Sequence, residues 1–390
     1  MKQILIMKYA IIFLLHIGLS FPILAQQTIN GSIMHDGIQR DYILYIPAIY
    51  DGNTDVPLVL NFHGIASNAT EQMFYGDFRD IADTEGFLLV HPEGTLLNGD
   101  QHWNVDNFTA GTTIGSTADD VGFTEALIDE LASQYTIDLD RVYSTGMSNG
   151  GYMSLLLACQ LSDKIAAVAS VTGSMTPETY DACNAQHPIP VLQIHGTSDA
   201  DVPYNGVFWS RSIDDVIFYW VNYNNCDTNP TITSFPNIDP LDESTVEHFV
   251  YSGGDNGVTT EHMKVTGGNH TWSGAAFDLP GLNTNQDINA SMEVWQFFSR
   301  FDINGTLTTS SVNEFDNRHV TLYPNPSNSK INLSLNFSGE MNYELFSHEG
   351  KQMMIGTIKS NNQEIDLSNL PSNIYYLKLD NQLYKISKSN

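Results

Sequence analysis

Val142-Tyr143-Ser144-Thr145-Gly146-Met147-Ser148-Asn149-Gly150-Gly151 decides how this chain is read. An apolar run of strand type enters the stretch, and residues 152–161 leave it as an apolar run of helical type. Between them lies G-x-S-x-G. On its own the pattern is common; with a strand before it and a helix after it, it places a serine on a tight strained bend. Neighbours on such a bend must be small, and Gly146 and Gly150 meet that need. The hydroxyl then stands at a helix N-terminus, where free N–H groups favour negative charge. Ser148 is the candidate nucleophile.

Outward from that bend, strand-like and helix-like runs alternate. Strands are predicted at residues 42–46, 58–62, 87–90, 142–145, 166–171, 191–194, 246–251 and 262–265. Helices are predicted at 71–84, 118–135, 152–161, 213–223 and 290–301. Near-continuous apolar strands separated by helices predict an α/β domain over residues 26–301, with a mostly parallel sheet covered on both faces. Residues 302–315 are rich in Gly, Thr and Ser and read as a linker. Short period-2 runs at 320–323, 331–335, 343–346 and 375–379 predict a small β-sandwich over 316–390.

A serine needs a base, and the base needs an orienting acid. The apolar run Val191-Leu192-Gln193-Ile194 leads into His195-Gly196-Thr197-Ser198-Asp199, and Asp199 is the predicted acid, with Asp201 as its rival. Five histidines follow: His248 and His262 inside strand patterns, His319 and His348 in the C-terminal module, and His270. His270 lies in the glycine-rich loop Gly267-Gly268-Asn269-His270-Thr271-Trp272 before the last helix, and is the predicted base. Acyl transfer also needs N–H donors for the developing oxyanion, each worth about 3 kcal/mol in the transition state. The predicted donors are the N–H groups of Asn149 and of Ile65, the latter just after Asn61-Phe62-His63-Gly64. His63 reads as a hydrogen-bonded structural histidine, and His91-Pro92-Glu93-Gly94 as a strand-end turn. Asp119-Asp120 reads as a helix cap rather than a metal site. Trp103 and Trp272 stay open to two readings, as walls of an acyl or sugar pocket or as core. No metal or organic cofactor is implied.

Sixteen Lys+Arg against 45 Asp+Glu in 390 residues leave a net charge of −29. Nucleic-acid binding needs clustered cations, so that class is excluded, and polyanionic substrates are repelled. The chain is 42% hydrophobic and its acidity is not gathered in a tail, which excludes an acidic disordered protein. Lys2 and Lys8, an apolar stretch over residues 9–19 and Ile23-Leu24-Ala25 form a signal-peptide pattern spanning residues 1–25. That stretch is too short and too interrupted, at His16, Gly18 and Pro22, for a membrane span, and no transmembrane segment is expected in the mature chain. Three cysteines in an exported chain suggest one disulfide and one thiol. Cys159 falls in an apolar helical run and reads as the buried thiol. Cys183 and Cys226 are the predicted pair, closing a loop of about forty residues for about 4 kcal/mol of stability.

Together these segments resemble the secreted polyhydroxybutyrate depolymerase-like and feruloyl-esterase-like branch of the α/β-hydrolases. The resemblance spans residues 28–301. It rests on Asn61-Phe62-His63-Gly64, Asp119-Asp120-Val121-Gly122-Phe123, Gly146-Met147-Ser148-Asn149-Gly150-Gly151, His195-Gly196-Thr197-Ser198-Asp199 with Val202-Pro203-Tyr204, and Gly267-Gly268-Asn269-His270-Thr271-Trp272. It implies ester hydrolysis through an acyl-enzyme, with Ser148 as nucleophile, His270 as base and Asp199 as orienter. The implied substrates are feruloyl or acetyl esters of plant polysaccharides, with polyhydroxyalkanoate polyesters as the alternative. That family often has Cys after His-Gly; Ile65 stands there instead, which removes a disulfide but not the N–H. A serine peptidase on the same fold and a non-catalytic surface binding protein remain as other classes.

The tail resembles a type IX secretion sorting domain, through Leu322-Tyr323-Pro324-Asn325-Pro326-Ser327, Tyr343-Glu344-Leu345-Phe346, Ile365-Asp366-Leu367-Ser368-Asn369-Leu370 and Lys385-Ile386-Ser387-Lys388. That resemblance implies the type IX secretion machinery as a partner, then release or surface attachment. A carbohydrate-binding sandwich is the other reading of this module.

Overall fold

Strands that are apolar on both faces must be covered on both faces, and these strands assemble into one central sheet. The computed structural model describes residues 26–105, 116–279, 281–307, 320–323, 327–335, 341–347, 351–359, 362–379 and 382–388. The expected signal peptide lies outside them. The first strands are β1 (Gln27–His35), β2 (Ile38–Ile46), β3 (Val56–Phe62) and β4 (Leu88–Pro92). A separate hairpin follows, β5 (Thr95–Leu97) with β6 (Asp100–His102), and then β7 (Ile137–Met147), β8 (Ala167–Val171) and β9 (Val191–Gly196). The last are β10 (Thr231–Ser234), β11 (Thr245–Tyr251) and β12 (Thr260–Thr266). Ten of them form one sheet in the order β1-β2-β4-β3-β7-β8-β9-β12-β11-β10. From β4 across to β12 every pairing is parallel, and antiparallel strands extend both edges.

Among the described residues seven α-helices accompany these strands: α1 (Ala69–Tyr75), α2 (Arg79–Glu85), α3 (Asp120–Gln134), α4 (Asn149–Gln160), α5 (Pro177–Ala182), α6 (Ile213–Tyr223) and, after β12, α7 (Ala290–Phe298). Strand alternation sorts the core into two layers. Leu58, Leu60, Phe62 and Val142 face a layer with Leu127, Ile128 and Leu131 of α3, Leu155 and Leu157 of α4, and Trp220 of α6. Val59 and Tyr143 face the other, with Ile81 of α2 and Val294, Trp295 and Phe298 of α7. Each fully buried aliphatic or phenyl side chain stabilises the fold by about 1.5–3 kcal/mol. The result is an α/β fold with a mostly parallel sheet.

Three expectations need correction. The helix predicted over 71–84 is two helices, because the chain breaks at Gly76, whose carbonyl accepts from the buried Asn61 side chain at 2.8 Å. The helix predicted to run to 301 stops at Phe298. Residues 301–306 form a small hairpin, Phe301–Asp302 with Gly305–Thr306, where the linker was expected to begin at 302. The disulfide is Cys159–Cys183, not Cys183–Cys226. Cys159 sits near the C-terminal end of α4, beside the Cys183 that caps α5, with Cα atoms 4.8 Å apart. Cys226 turns inward beside Thr260, and burial raises its thiol pKa. Closing the shorter loop contributes about 3 kcal/mol in the chain-entropy account.

The chain divides into Met1–Leu307 and Thr308–Asn390. The second unit holds two antiparallel sheets. One comprises Val320–Tyr323, Lys330–Leu335 and Asn362–Asp366; the other comprises Met341–Ser347, Gln352–Ile358, Asn373–Leu379 and Gln382–Lys388. Ile331, Leu333, Leu345, Ile365, Leu377 and Ile386 form a core of their own, as two facing sheets require. The Pro324-Asn325-Pro326 part of the tail motif, with His319 and His348, lies outside the described residues.

Candidate active site

Between β7 and α4, Ser148 adopts φ 53° and ψ −119°, a left-handed conformation that costs on the order of 1–3 kcal/mol in a non-glycine residue. The surroundings hold it there: its N–H donates to Val171 O at 2.9 Å, and its carbonyl accepts from Tyr152 N–H at 3.0 Å. The two glycines allow backbone to meet backbone. A Cβ on Gly150 would lie 2.2 Å from Phe62 O, and one on Gly146 would lie 2.6 Å from both Phe62 O and Gly150 O. Gly150→Ala is therefore expected to destabilise the fold by about 3 kcal/mol, because α4 has to move off the end of β3. Urea unfolding checks this; an unchanged midpoint would show that the helix has room to shift.

The predicted acid and base lie on two neighbouring loops. Asp199 follows β9 and His270 follows β12, and Ser198 N–H donates to Gly268 O at 2.9 Å across the gap. His270 Nδ1 lies 2.7 Å from Asp199 Oδ2. Asp199 Oδ1 accepts from the N–H groups of Asp201 and Val202 at 2.9 and 2.8 Å. Asp201 contributes its main chain to this arrangement, and the residue lines the cavity. His248 pairs with Glu261 at 2.8 Å, and His262 contacts Tyr204 and the Gln193 carbonyl.

A second histidine completes the cluster, one the sequence offered only as part of a motif. His195 is fully buried, with Nε2 at 2.8 Å from Val202 O and 3.3 Å from Asp199 Oδ2. Gln193 Nε2 donates to Gly173 O at 2.9 Å and lies 3.1 Å from His195 Nδ1, so Nδ1 accepts and Nε2 carries the proton. Burial pushes its pKa down to about 4, against the opposing pull of Asp199, and the ring stays neutral.

Ser148 and His270 line one cavity of about 840 Å³, together with Ile65, Asn149 and Asp201. Its apolar walls come from Phe74, Tyr75, Trp209, Phe277 and Leu279. None of these was singled out from the sequence: Phe74 and Tyr75 fall inside the run predicted as a helix, and Trp209, Phe277 and Leu279 lie in loops without periodicity. Trp103 and Trp272 are not among the lining residues. Both are buried: Trp272 donates its Nε1–H to Ser291 at 3.1 Å, and Trp103 to His63 O at 2.9 Å. Their core reading stands and the pocket reading is withdrawn.

His63 is a fully buried histidine bonded to Gly64 O and Gly94 N–H. Asp119 caps α3, accepting from Gly122 N–H at 2.9 Å. Asp120 does more than cap: it is buried, paired with Arg40 at 2.6 Å, and accepts Asn104 N–H at 2.6 Å. Among the described residues, Asp199/Asp201/His270 and His35/Asp36/Asp119 each offer three ligand atoms within 4.8 Å. A closed structural zinc site takes four. Asp199 already receives two N–H groups and the His270 ring, and Asp119 already caps a helix.

Residues 40–202 match the family described as Esterase PHB depolymerase. NocK, a protein of Nocardia uniformis subsp. tsuyamanensis, is 30% identical over 274 residues, covering 66% of this chain and 77% of its own length. The chain belongs to this esterase family. A bifunctional acetylxylan esterase/xylanase of Neocallimastix patriciarum is 28% identical over 73% of this chain, and feruloyl esterase B of Piromyces equi is 33% identical over 43% of it. The matches span 36% and 30% of those two longer proteins. An acetyl xylan esterase structure from Aspergillus awamori shares the fold at 14% identity, with a TM-score of 0.50 over 70% of this chain and 98% of its own. Residues 321–389 match the Secretion system C-terminal sorting domain, which marks this esterase-family chain for secretion. No helix of the described residues is long and apolar enough to cross a membrane.

Proposed function

We propose that this chain is a secreted serine esterase that cleaves carboxylic esters through an acyl-enzyme. The observation that carries the reading is the shared cavity: Ser148 and His270 both line it, and His270 is tied through Nδ1 to buried Asp199 at 2.7 Å. With Nδ1 engaged, Nε2 is the nitrogen left to move a proton. Ser148 Oγ attacks the ester carbonyl carbon while its proton passes to Nε2. The carbonyl oxygen becomes an oxyanion and accepts the Ile65 and Asn149 N–H groups, neither of which has another acceptor among the described residues. The C–O bond to the alcohol breaks and Nε2 returns the proton to the departing oxygen. Water then attacks the acyl-serine by the same route, releasing the acid and restoring Ser148.

The proposed substrates are feruloyl or acetyl esters of plant polysaccharides, the chemistry named for two of the relatives. The apolar cavity walls suit a planar or aliphatic acyl group, and a surplus of acidic residues disfavours polyanionic chains. Polyester cleavage is the second reading, supported by the family description and the same walls. The type IX secretion machinery is the proposed partner of the C-terminal unit.

The test is product release from methyl ferulate, acetylated xylan and short-chain polyhydroxybutyrate, by wild type and Ser148→Ala. Serine-dependent release from either of the first two supports the reading. Release from the polyester alone replaces it with the second. Faster cleavage of an amide than of the matching ester would point to a peptidase. Silence, with no labelling by a serine-directed phosphonate, would leave a non-catalytic binding protein.

A further inference from the structure

We propose that Trp103 is a positioning residue that sets the spacing between the two oxyanion donors, Ile65 N–H and Asn149 N–H. The inference rests on the esterase reading above and adds a residue to it. The donors belong to different parts of the chain, one on the loop after β3 and the other on the first residue of α4. Trp103 is bonded to both segments, though to neither donor N–H itself. Its ring Nε1–H donates to His63 O at 2.9 Å. Its main-chain N–H donates to Asn149 Oδ1 at 2.6 Å, and its carbonyl accepts from Asn149 Nδ2 at 3.1 Å. A buried tryptophan needs only one acceptor for its ring N–H. Here the ring and both main-chain groups all go to the two segments that carry the donors.

The clamp is itself anchored. The Trp103 ring is fully buried, edge-on to Phe62 at 4.9 Å and beside His63 at 5.0 Å. The next residue, Asn104, donates its N–H to Asp120 Oδ2 at 2.6 Å, and Asp120 is held by Arg40 at 2.6 Å. Breaking such a buried pair would cost far more than displacing a surface loop, so Trp103 is a fixed point.

On the other side, peptide geometry converts the His63 contacts into a direction for the Ile65 N–H. A carbonyl oxygen only accepts, so the His63 nitrogen facing Gly64 O, Nδ1, carries a proton, while Nε2 lies 3.0 Å from Gly94 N and 3.2 Å from Glu93 Oε1. Nδ1–H then donates to Gly64 O at 2.7 Å, and Ser67 N–H donates to the same oxygen at 3.2 Å. In a trans peptide the C=O and the following N–H point in opposite directions. Holding the Gly64 carbonyl from behind turns the Ile65 N–H the other way. The same loop packs against the Ser148 bend: a Cβ on Gly64 would lie 3.4 Å from Ser148 Cβ.

Trp103→Phe tests this, because it keeps the aromatic packing and removes only the ring N–H. Rates are taken per site titrated with a phosphonate, so loss of folded protein does not enter. The expected result is a fall in kcat of roughly tenfold to a hundredfold, the scale of a sub-ångström to ångström misplacement. KM should stay within about twofold, since ground-state binding is untouched. Affinity for a trifluoromethyl ketone, whose serine adduct carries an oxyanion, should fall by the same factor as kcat. Asn149→Ala cuts the other two bonds, and the double variant should lose less than the product of the two single losses. If Trp103→Phe does not fold, Asn149→Ala with the same split between kcat and KM carries the test. Unchanged kcat and ketone affinity would overturn the proposal, as would equal losses in kcat/KM arising from KM alone. Ester hydrolysis by wild type that survives Ser148→Ala would overturn the esterase reading itself and this inference with it.

Discussion

With Ser148 replaced by alanine, kcat for ester hydrolysis falls by about a millionfold, the scale on which removal of a triad nucleophile acts. The thermal midpoint moves by no more than about 1 °C, as for a substitution that removes no contact. Both halves follow from the geometry. Among the described residues the Ser148 hydroxyl has no hydrogen-bond partner, so nothing of the fold leaves with it. The strained main chain around it is held by Val171 O and Tyr152 N–H, which do not depend on the side chain. What alanine removes is the atom proposed to form the acyl bond. The proposed oxyanion donors and the cavity remain and leave a residual rate roughly a thousandfold above water. The measurement is single-turnover release of p-nitrophenol from the acetate ester beside a melting curve. Activity persisting within tenfold would rule out Ser148 as nucleophile.

Asp199→Asn is expected to cost about 10⁴-fold in kcat, through the proton on His270. Asn can keep an oxygen where Oδ1 accepts the N–H groups of Asp201 and Val202. Its NH₂ then stands where Oδ2 now meets His270 Nδ1. A donor at that point forces Nδ1 to accept, so the neutral ring carries its proton on Nε2 and cannot take one from the serine. Asp201→Asn separates the two carboxylates: the Asp201 main chain is what touches Asp199, and its loss should be less than about threefold. The comparison is kcat at a pH where both variants are folded by circular dichroism. A large loss in Asp201→Asn with a small one in Asp199→Asn would exchange their roles.

Much of this was legible locally. G-x-S-x-G between a strand and a helix is a short-range pattern, and the strained Ser148 with its close-packed glycines follows from it. The parallel strands β3, β4, β7, β8, β9 and β12 carry the continuous apolar runs that two-sided burial demands, and each overlaps a predicted run. Edge strands were missed. In β1 the exposed and half-buried residues alternate without a large apolar set, and β10 is exposed throughout. Asp199 and His270 were chosen from chain order and loop placement, and the fold brings them to 2.7 Å.

The rest depended on distance between parts of the chain that sequence does not order. Cys159 and Cys183 pair because the end of one helix meets the cap of another; nothing in the spacing separates that pairing from Cys183–Cys226. Asp120 resembles a helix cap until Arg40, eighty residues away, is seen against it. Trp103 and Trp272 were conspicuous as aromatics, but whether an aromatic lines a cavity or fills a core depends on which backbone approaches it. The cavity walls come from Phe74, Tyr75, Trp209, Phe277 and Leu279, drawn from α1 and two distant loops. By itself the sequence determined the fold class, the turn that carries Ser148, the order of the candidate catalytic groups and the sorting module. These are properties of local periodicity and of residue types at fixed short spacings. Only the tertiary structure decided the disulfide, the buried ion pair, the neutral His195 behind Asp199 and the hydrogen bonds of Trp103. Each is a contact between segments separated by tens of residues, where packing rather than propensity chooses the partner.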